Sequence, residues 1–129
     1  MNQEILNAKA EIVKEVADKA KNSGSLTIVE YHGLSVAEIT ALRRSLRSAE
    51  AEMTVYKNSL VERASKELGY DGLVEALKGP NAFVFSKDAS AGPKILAKAA
   101  KRNEHLVIKG GVVDGKVMSA QEMKVIATL

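Results

Sequence analysis

Residues 31–60 read YHGLSVAEITALRRSLRSAEAEMTVYKNSL, and the rest of the chain is organised around them. A short run rich in β-branched residues, Ser25 to Tyr31, leads in and reads as a buried strand. His32-Gly33 turns the chain, and Gly33 permits positive φ or the close approach of a partner. Ser35 and Glu38, three residues apart, carry the capping-box pattern at the head of a helix. Projected at about 100° per residue, Ile39, Leu42, Leu46 and Ala49 fall on one stripe of that helix. Arg43, Arg44 and Arg47 fall in an adjacent arc about 100° wide. Met53 to Tyr56 alternates and reads as a second strand after a polar connector, Glu50 to Glu52. Lys57-Asn58-Ser59 follows, with Asn58 or Ser59 placed to cap a third helix running to about Leu68.

Outward toward the N-terminus, residues 2–22 read as a first helix. Ile5, Ile12, Val16 and Ala20 line one face, and Leu6 and Val13 widen it. Lys9 projects into that apolar stripe. A lysine so placed either snorkels past the edge of the core or ends against an anion. Outward toward the C-terminus, Leu73 to Leu77 reads as a short helix and Lys78-Gly79-Pro80 as a break. Asn81 to Phe85 reads as a third strand, and Pro93 opens a helix that runs to Asn103. In that helix Ile95, Leu96, Ala99 and Ala100 face inward, while Lys94, Lys98, Lys101 and Arg102 face away. His105 to Val113 is a fourth strand interrupted by Gly110-Gly111, which reads as a bulge or close contact, with His105 a half-buried structural histidine at its start. Asp114-Gly115 is a two-residue hairpin signal leading into a fifth strand. Ser119 and Glu122 repeat the capping box, and the apolar pattern of the last helix is unfinished at Leu129. The simplest architecture is an α+β domain over residues 1–129: a single mixed β-sheet covered by helices.

Composition narrows the function classes. Of 129 residues, 46% are hydrophobic and 27% charged, which marks a globular chain with a modest core. With no cysteine there is no disulfide framework, thiolate metal site or cysteine nucleophile. No apolar run approaches the roughly 18 residues of a membrane span. Glu4 and Glu11 sit inside the first helical pattern, which is not that of a signal peptide, so a cytoplasmic protein is expected. His32 and His105 lie at different strand ends and neither has metal-ligand spacing. There is no G-x-S-x-G elbow and no phosphate-cradling G-x-x-x-x-G-K-S/T loop. We therefore expect no catalytic activity, no metal and no cofactor.

The net charge of +3 is unevenly spread. Residues 36–66 hold six basic against four acidic groups, and residues 78–109 hold seven against Asp88 and Glu104. Such blocks point to a charged face. In the central helix the basic groups are arginines, whose planar donor fork matches phosphate oxygens and keeps its charge. From the charges alone, a solvated helix face is the plain alternative.

The ordered set Tyr31-His32-Gly33-Leu34-x-Val36, Leu42-Arg43-Arg44-x-x-Arg47 and Val55-x-Lys57-Asn58-x-Leu60 resembles the signature of the bacterial ribosomal protein L-ten family. The similarity continues through Lys78-Gly79-Pro80 and Lys109-Gly110-Gly111-Val112-Val113. The resemblance implies a ferredoxin-like core and a domain that binds large-subunit rRNA beside ribosomal protein L-eleven, at the base of the ribosomal stalk. It implies RNA contacts by Lys9, His32, Gly33, Arg43, Arg44, Arg47, Lys57 and Asn58. It further implies a C-terminal helix, expected to lie beyond this chain, that carries stalk L-seven/L-twelve dimers and so recruits translational GTPases. Repression of its own messenger or a part in ribosome assembly through the same face is the alternative, and a protein adaptor without RNA another. The family usually has arginine or lysine where this chain has His32; a neutral imidazole there hydrogen-bonds or stacks on RNA instead of supplying a fixed charge.

Overall fold

Alternating apolar residues build a sheet that is buried on both faces. A computed structural model describes residues 3–79 and 81–127, with side chains from Lys9 onward. The expected inward faces of Ile5 and Leu6, and the roles of Pro80 and Leu129, lie outside the described residues. The helices are α1 (Gln3–Asn22), α2 (Val36–Ser48), α3 (Asn58–Glu67), α4 (Ala91–Arg102) and α5 (Ala120–Ile126), with a 3-10 helix at Asp71–Leu77. The strands are β1 (Ser25–Glu30), β2 (Ala51–Thr54), β3 (Asn81–Ser86), β4 (Val107–Val113) and β5 (Lys116–Ser119).

The five strands form one sheet in the order β2-β3-β1-β4-β5. The sheet is not mixed as expected: every neighbouring pair is antiparallel. Helix α2 returns the chain so that β2 runs in the direction of β1, and α4 does the same for β3 and β4. In each case an oppositely directed strand fills the slot between the two, β3 in the first and β1 in the second. This interleaving is the ferredoxin-like core. The Asp114-Gly115 turn, with both residues at positive φ, adds β5 as a hairpin.

Successive side chains of a strand point to opposite faces, and both faces are covered. Leu26, Ile28, Phe83, Phe85 and Val112 pack with Val13, Val16 and Ala17 of α1, Leu60, Val61 and Ala64 of α3, and Leu73 and Leu77. Val29, Ala82, Val84, Ile108 and Val113 pack on the other face with Leu42 and Leu46 of α2, Leu96 of α4 and Met123 of α5. Burying one such side chain contributes about 1.5–3 kcal/mol, so α1 and α2 are each pinned to their own side of the sheet.

Two local features depart from simple alternation. Ile28 pairs with Gly110 and Val29 with Ile108, which leaves Lys109 as an extra, bulged residue. The bulge lets Ile108 and Val112 face opposite sides although they are an even number of residues apart. Gly111 runs so close to β1 that a Cβ there would lie 2.2 Å from the Leu26 carbonyl oxygen. Strand β2 begins at Ala51, before the Met53 that the sequence pattern favours. In this edge strand Glu52 lies on the α1 face, in an ion pair with Lys19 at 2.9 Å, while Ala51 and Met53 are buried on the other face. A charged residue that reads as connector is an exposed position of an edge strand.

Candidate nucleic-acid interface

Helix α2 sorts its residues as its periodicity implies. Leu42 and Leu46 are buried, Ile39 and Ala49 half-buried, and Arg43, Arg44 and Arg47 exposed. The capping box is formed: the Glu38 N–H donates to Ser35 Oγ at 3.1 Å, and the Ser35 N–H donates to Glu38 Oε1 at 2.9 Å. These bonds hold the Glu38 carboxyl below the usual carboxylate range, with Asn103 and His105 adding to the effect. Arg43 and Arg47 are four residues apart and so lie one above the other on the helix surface. Among the described residues, none of the three arginines makes a side-chain hydrogen bond or ion pair. The acid nearest the helix end in sequence, Glu50, is paired with Lys87 at 3.3 Å. Among the described residues, no carboxylate pairs with these guanidinium groups.

The other expected contact residues gather at one end of the sheet. Glu30, the last residue of β1, pairs with Asn81 and Val107, the first residues of β3 and β4. His32-Gly33, Lys57-Asn58, Lys78-Gly79 and His105 all flank that end. His32 and Lys57 are exposed and Asn58 half-buried. Gly33 takes φ +96°, and a Cβ on it would lie 2.7 Å from His105 Nδ1. The close neighbour that Gly33 admits is thus a histidine of the same chain, and His105 is exposed rather than half-buried.

Asn58 and Ser59 do not cap α3. The N-cap is Lys57, without a side-chain cap. Asn58 Nδ2 donates instead to the Gly79 carbonyl at 2.8 Å, an acceptor that folding brings to it from 21 residues away. Lys57 therefore sets a positive charge at the positive end of the α3 dipole, and the first turn holds no acid to offset it.

Not all the expected residues meet on one flat face. Arg47 lies in the last turn of α2, about 16 Å of helix rise beyond its start at the His32 end. Lys9 is half-buried on α1, in the layer across the sheet from α2. A ligand touching all of them must reach both sides of the sheet.

A family model described as Ribosomal protein L10 matches residues 4–101. The chain belongs to the ribosomal protein L10 family. It is 47% identical over 126 residues to the large ribosomal subunit protein uL10 of Staphylococcus carnosus, covering 97% of this chain and 76% of that protein. It is 48% identical over 126 residues to the uL10 of Shouchella clausii, with 97% and 76% covered. The uL10 of Macrococcus caseolyticus is 47% identical over 127 residues, 98% of this chain and 72% of that protein. Membership of the L10 family makes the chain a structural constituent of the large ribosomal subunit, in the cytoplasm, and not an enzyme. Among the described residues, no helix is long and apolar enough to cross a membrane.

Three residues at the sheet end were not among the contact residues that the sequence pointed to, although Lys78 and Lys109 lie in stretches that carry the family resemblance. His105 reads as a strand-start histidine, yet it packs on Gly33. Lys78 reads as part of a break, and Lys109 as one lysine in a strand. Only the glycine pair after Lys109, the mark of a bulge, signals that its side chain is re-aimed.

Proposed function

We propose that this chain binds large-subunit rRNA and anchors the ribosomal stalk, with ribosomal protein L-eleven beside it. The stalk's L-seven/L-twelve dimers attach through a C-terminal helix of the full-length protein. The observation that carries the RNA reading is the set of exposed guanidinium groups of Arg43, Arg44 and Arg47, unpaired among the described residues, on a helix whose adjacent side is buried. Lys57 and His32 extend the surface to the sheet end, and Lys9 adds a basic group on the α1 side of the sheet. Gly33 sets the His32 turn. Asn58 holds Lys57 in place through its bond to Gly79. Phosphate contacts of this kind fix register without reading sequence, so selectivity follows from the folded shape of the RNA. The wrapped arrangement of the basic residues suits a bent or junction-containing element.

The test is RNA binding by the chain across a salt titration, with Arg43→Ala/Arg47→Ala as the variant. Each phosphate contact removed should lower the slope of log affinity against log salt by about 0.7–0.9. The double variant should bind more weakly and with a shallower slope. Its fold should persist, because neither arginine is buried. Equal affinity and slope for variant and parent would remove α2 from the interface.

A further inference from the structure

The backbone at Lys78-Gly79 is gripped from two sides, by the side chains of Asn58 and Lys109. Asn58 Nδ2 donates to the Gly79 carbonyl at 2.8 Å. Lys109 Nζ donates to the Lys78 carbonyl and, at 2.9 Å, to Asn81 Oδ1. Asn81 Nδ2 donates to Asn58 Oδ1 at 3.2 Å and closes the ring. Asn81 is 3% exposed, so the ring is rooted in the sheet. Lys109 reaches it because the bulge in β4 takes that residue out of the regular pairing. Its ammonium meets two neutral oxygens and, among the described residues, no carboxylate. The ring thus holds one positive charge inside and fixes the backbone beneath two more. Lys57 precedes Asn58 and Lys78 precedes Gly79, so the Asn58–Gly79 bond ties together the backbone segments that carry these two exposed lysines. The acid on the other flank is Glu30, whose Oε1 would be 3.8 Å from a Cβ on Gly79. Three lysines against Glu30 and against Glu75, which lines the same groove as Lys109, leave the spot with a net positive charge.

We propose that Lys57 and Lys78 form a two-lysine clamp on RNA phosphate, and that Lys109 is a positioning residue that holds Lys78 without touching RNA. The proposal rests on the RNA-binding reading above. Two ammonium groups on fixed backbone suit phosphate because each is a point charge with rotatable donors that accepts an oxygen from many angles. An acidic protein segment would have to reach the same pair at the rim of the His32-Gly33 turn, where the proposed RNA surface already runs.

The experiment measures affinity of the full chain for a large-subunit rRNA transcript across a salt titration. The parent comes first. If it shows no salt-dependent binding, the RNA reading falls and the clamp falls with it. Given parent binding, Lys78→Ala should lose several-fold in affinity and about 0.7–0.9 in salt slope. Lys109→Met should lose several-fold in affinity as well, and Lys78→Ala/Lys109→Met should lose little more than either alone. Arg43→Ala, remote from the ring, should add fully to each. Asn58→Ala cuts the same support from the other side and serves if Lys109→Met fails to fold. Parent-like affinity and slope in Lys78→Ala would overturn the clamp and point to an acidic protein at this spot. Full additivity of Lys78→Ala with Lys109→Met would overturn the positioning role and make Lys109 a direct contact.

Discussion

Replacing Gly33 by alanine tests how the His32 turn is held. Gly33 sits at φ +96°, where an L residue is strained, and the new Cβ would lie 2.7 Å from Nδ1 and 2.9 Å from Cγ of His105. The backbone term costs roughly 1–2 kcal/mol. The steric term is smaller, because His105 is exposed and its ring can swing to another rotamer for about 0.5–1 kcal/mol. Together they come to about 2 kcal/mol. With an unfolding entropy of about 2.1 cal/mol/K per residue, a chain of 129 residues should lose about 7 °C in melting temperature. Circular dichroism melts of four proteins separate the two causes: parent, Gly33→Ala, His105→Ala and the double variant. Removing the imidazole should recover only the steric part, so the double variant should still melt about 4–5 °C below His105→Ala. A drop under about 2 °C in Gly33→Ala, or full recovery in the double variant, would refute the backbone argument.

Three further outcomes are expected. Lys9→Met should weaken RNA binding in a filter assay while the melting temperature holds or rises; unchanged affinity would return Lys9 to a snorkelling role. Lys98→Glu/Lys101→Glu on α4 should reduce RNA affinity only modestly, through the long-range field, and the loss should fade as salt screens it. A loss as large as that from Arg43→Ala/Arg47→Ala, persisting at moderate salt, would put the interface on α4. Acid stability should depend on Glu52, whose carboxyl is held below its ordinary range by the hydrogen bond from Lys19 and a second from Thr54. A folded pKa below the unfolded one means that this stabilisation is present above the ordinary carboxylate range and is lost as pH falls through the depressed value. Between about pH 5 and pH 3 the parent's melting temperature should therefore fall more steeply than that of Glu52→Gln.

What the sequence determined by itself are the features settled within about one helical turn or one strand pair. Both capping boxes, at Ser35/Glu38 and Ser119/Glu122, form as written, because donor and acceptor are three residues apart. The Asp114-Gly115 turn forms because its positive φ values are local. The buried and basic sides of α2 separate because a helix fixes the angle between its own residues. Tertiary structure alone decided the rest, because a side chain with several donors goes to whatever acceptor folding delivers. Asn58 turned from a cap to the Gly79 carbonyl, 21 residues away, and Lys109 reached Asn81 across 28 residues. Strand direction shows the same limit: helical crossovers set β1 and β2 running one way, but only the insertion of β3 between them made every neighbour antiparallel. Lys9 and Arg43 both read as basic residues on amphipathic helices. That the sheet stands between their helices depends on which face each apolar stripe buried, and no periodicity within either helix records that choice.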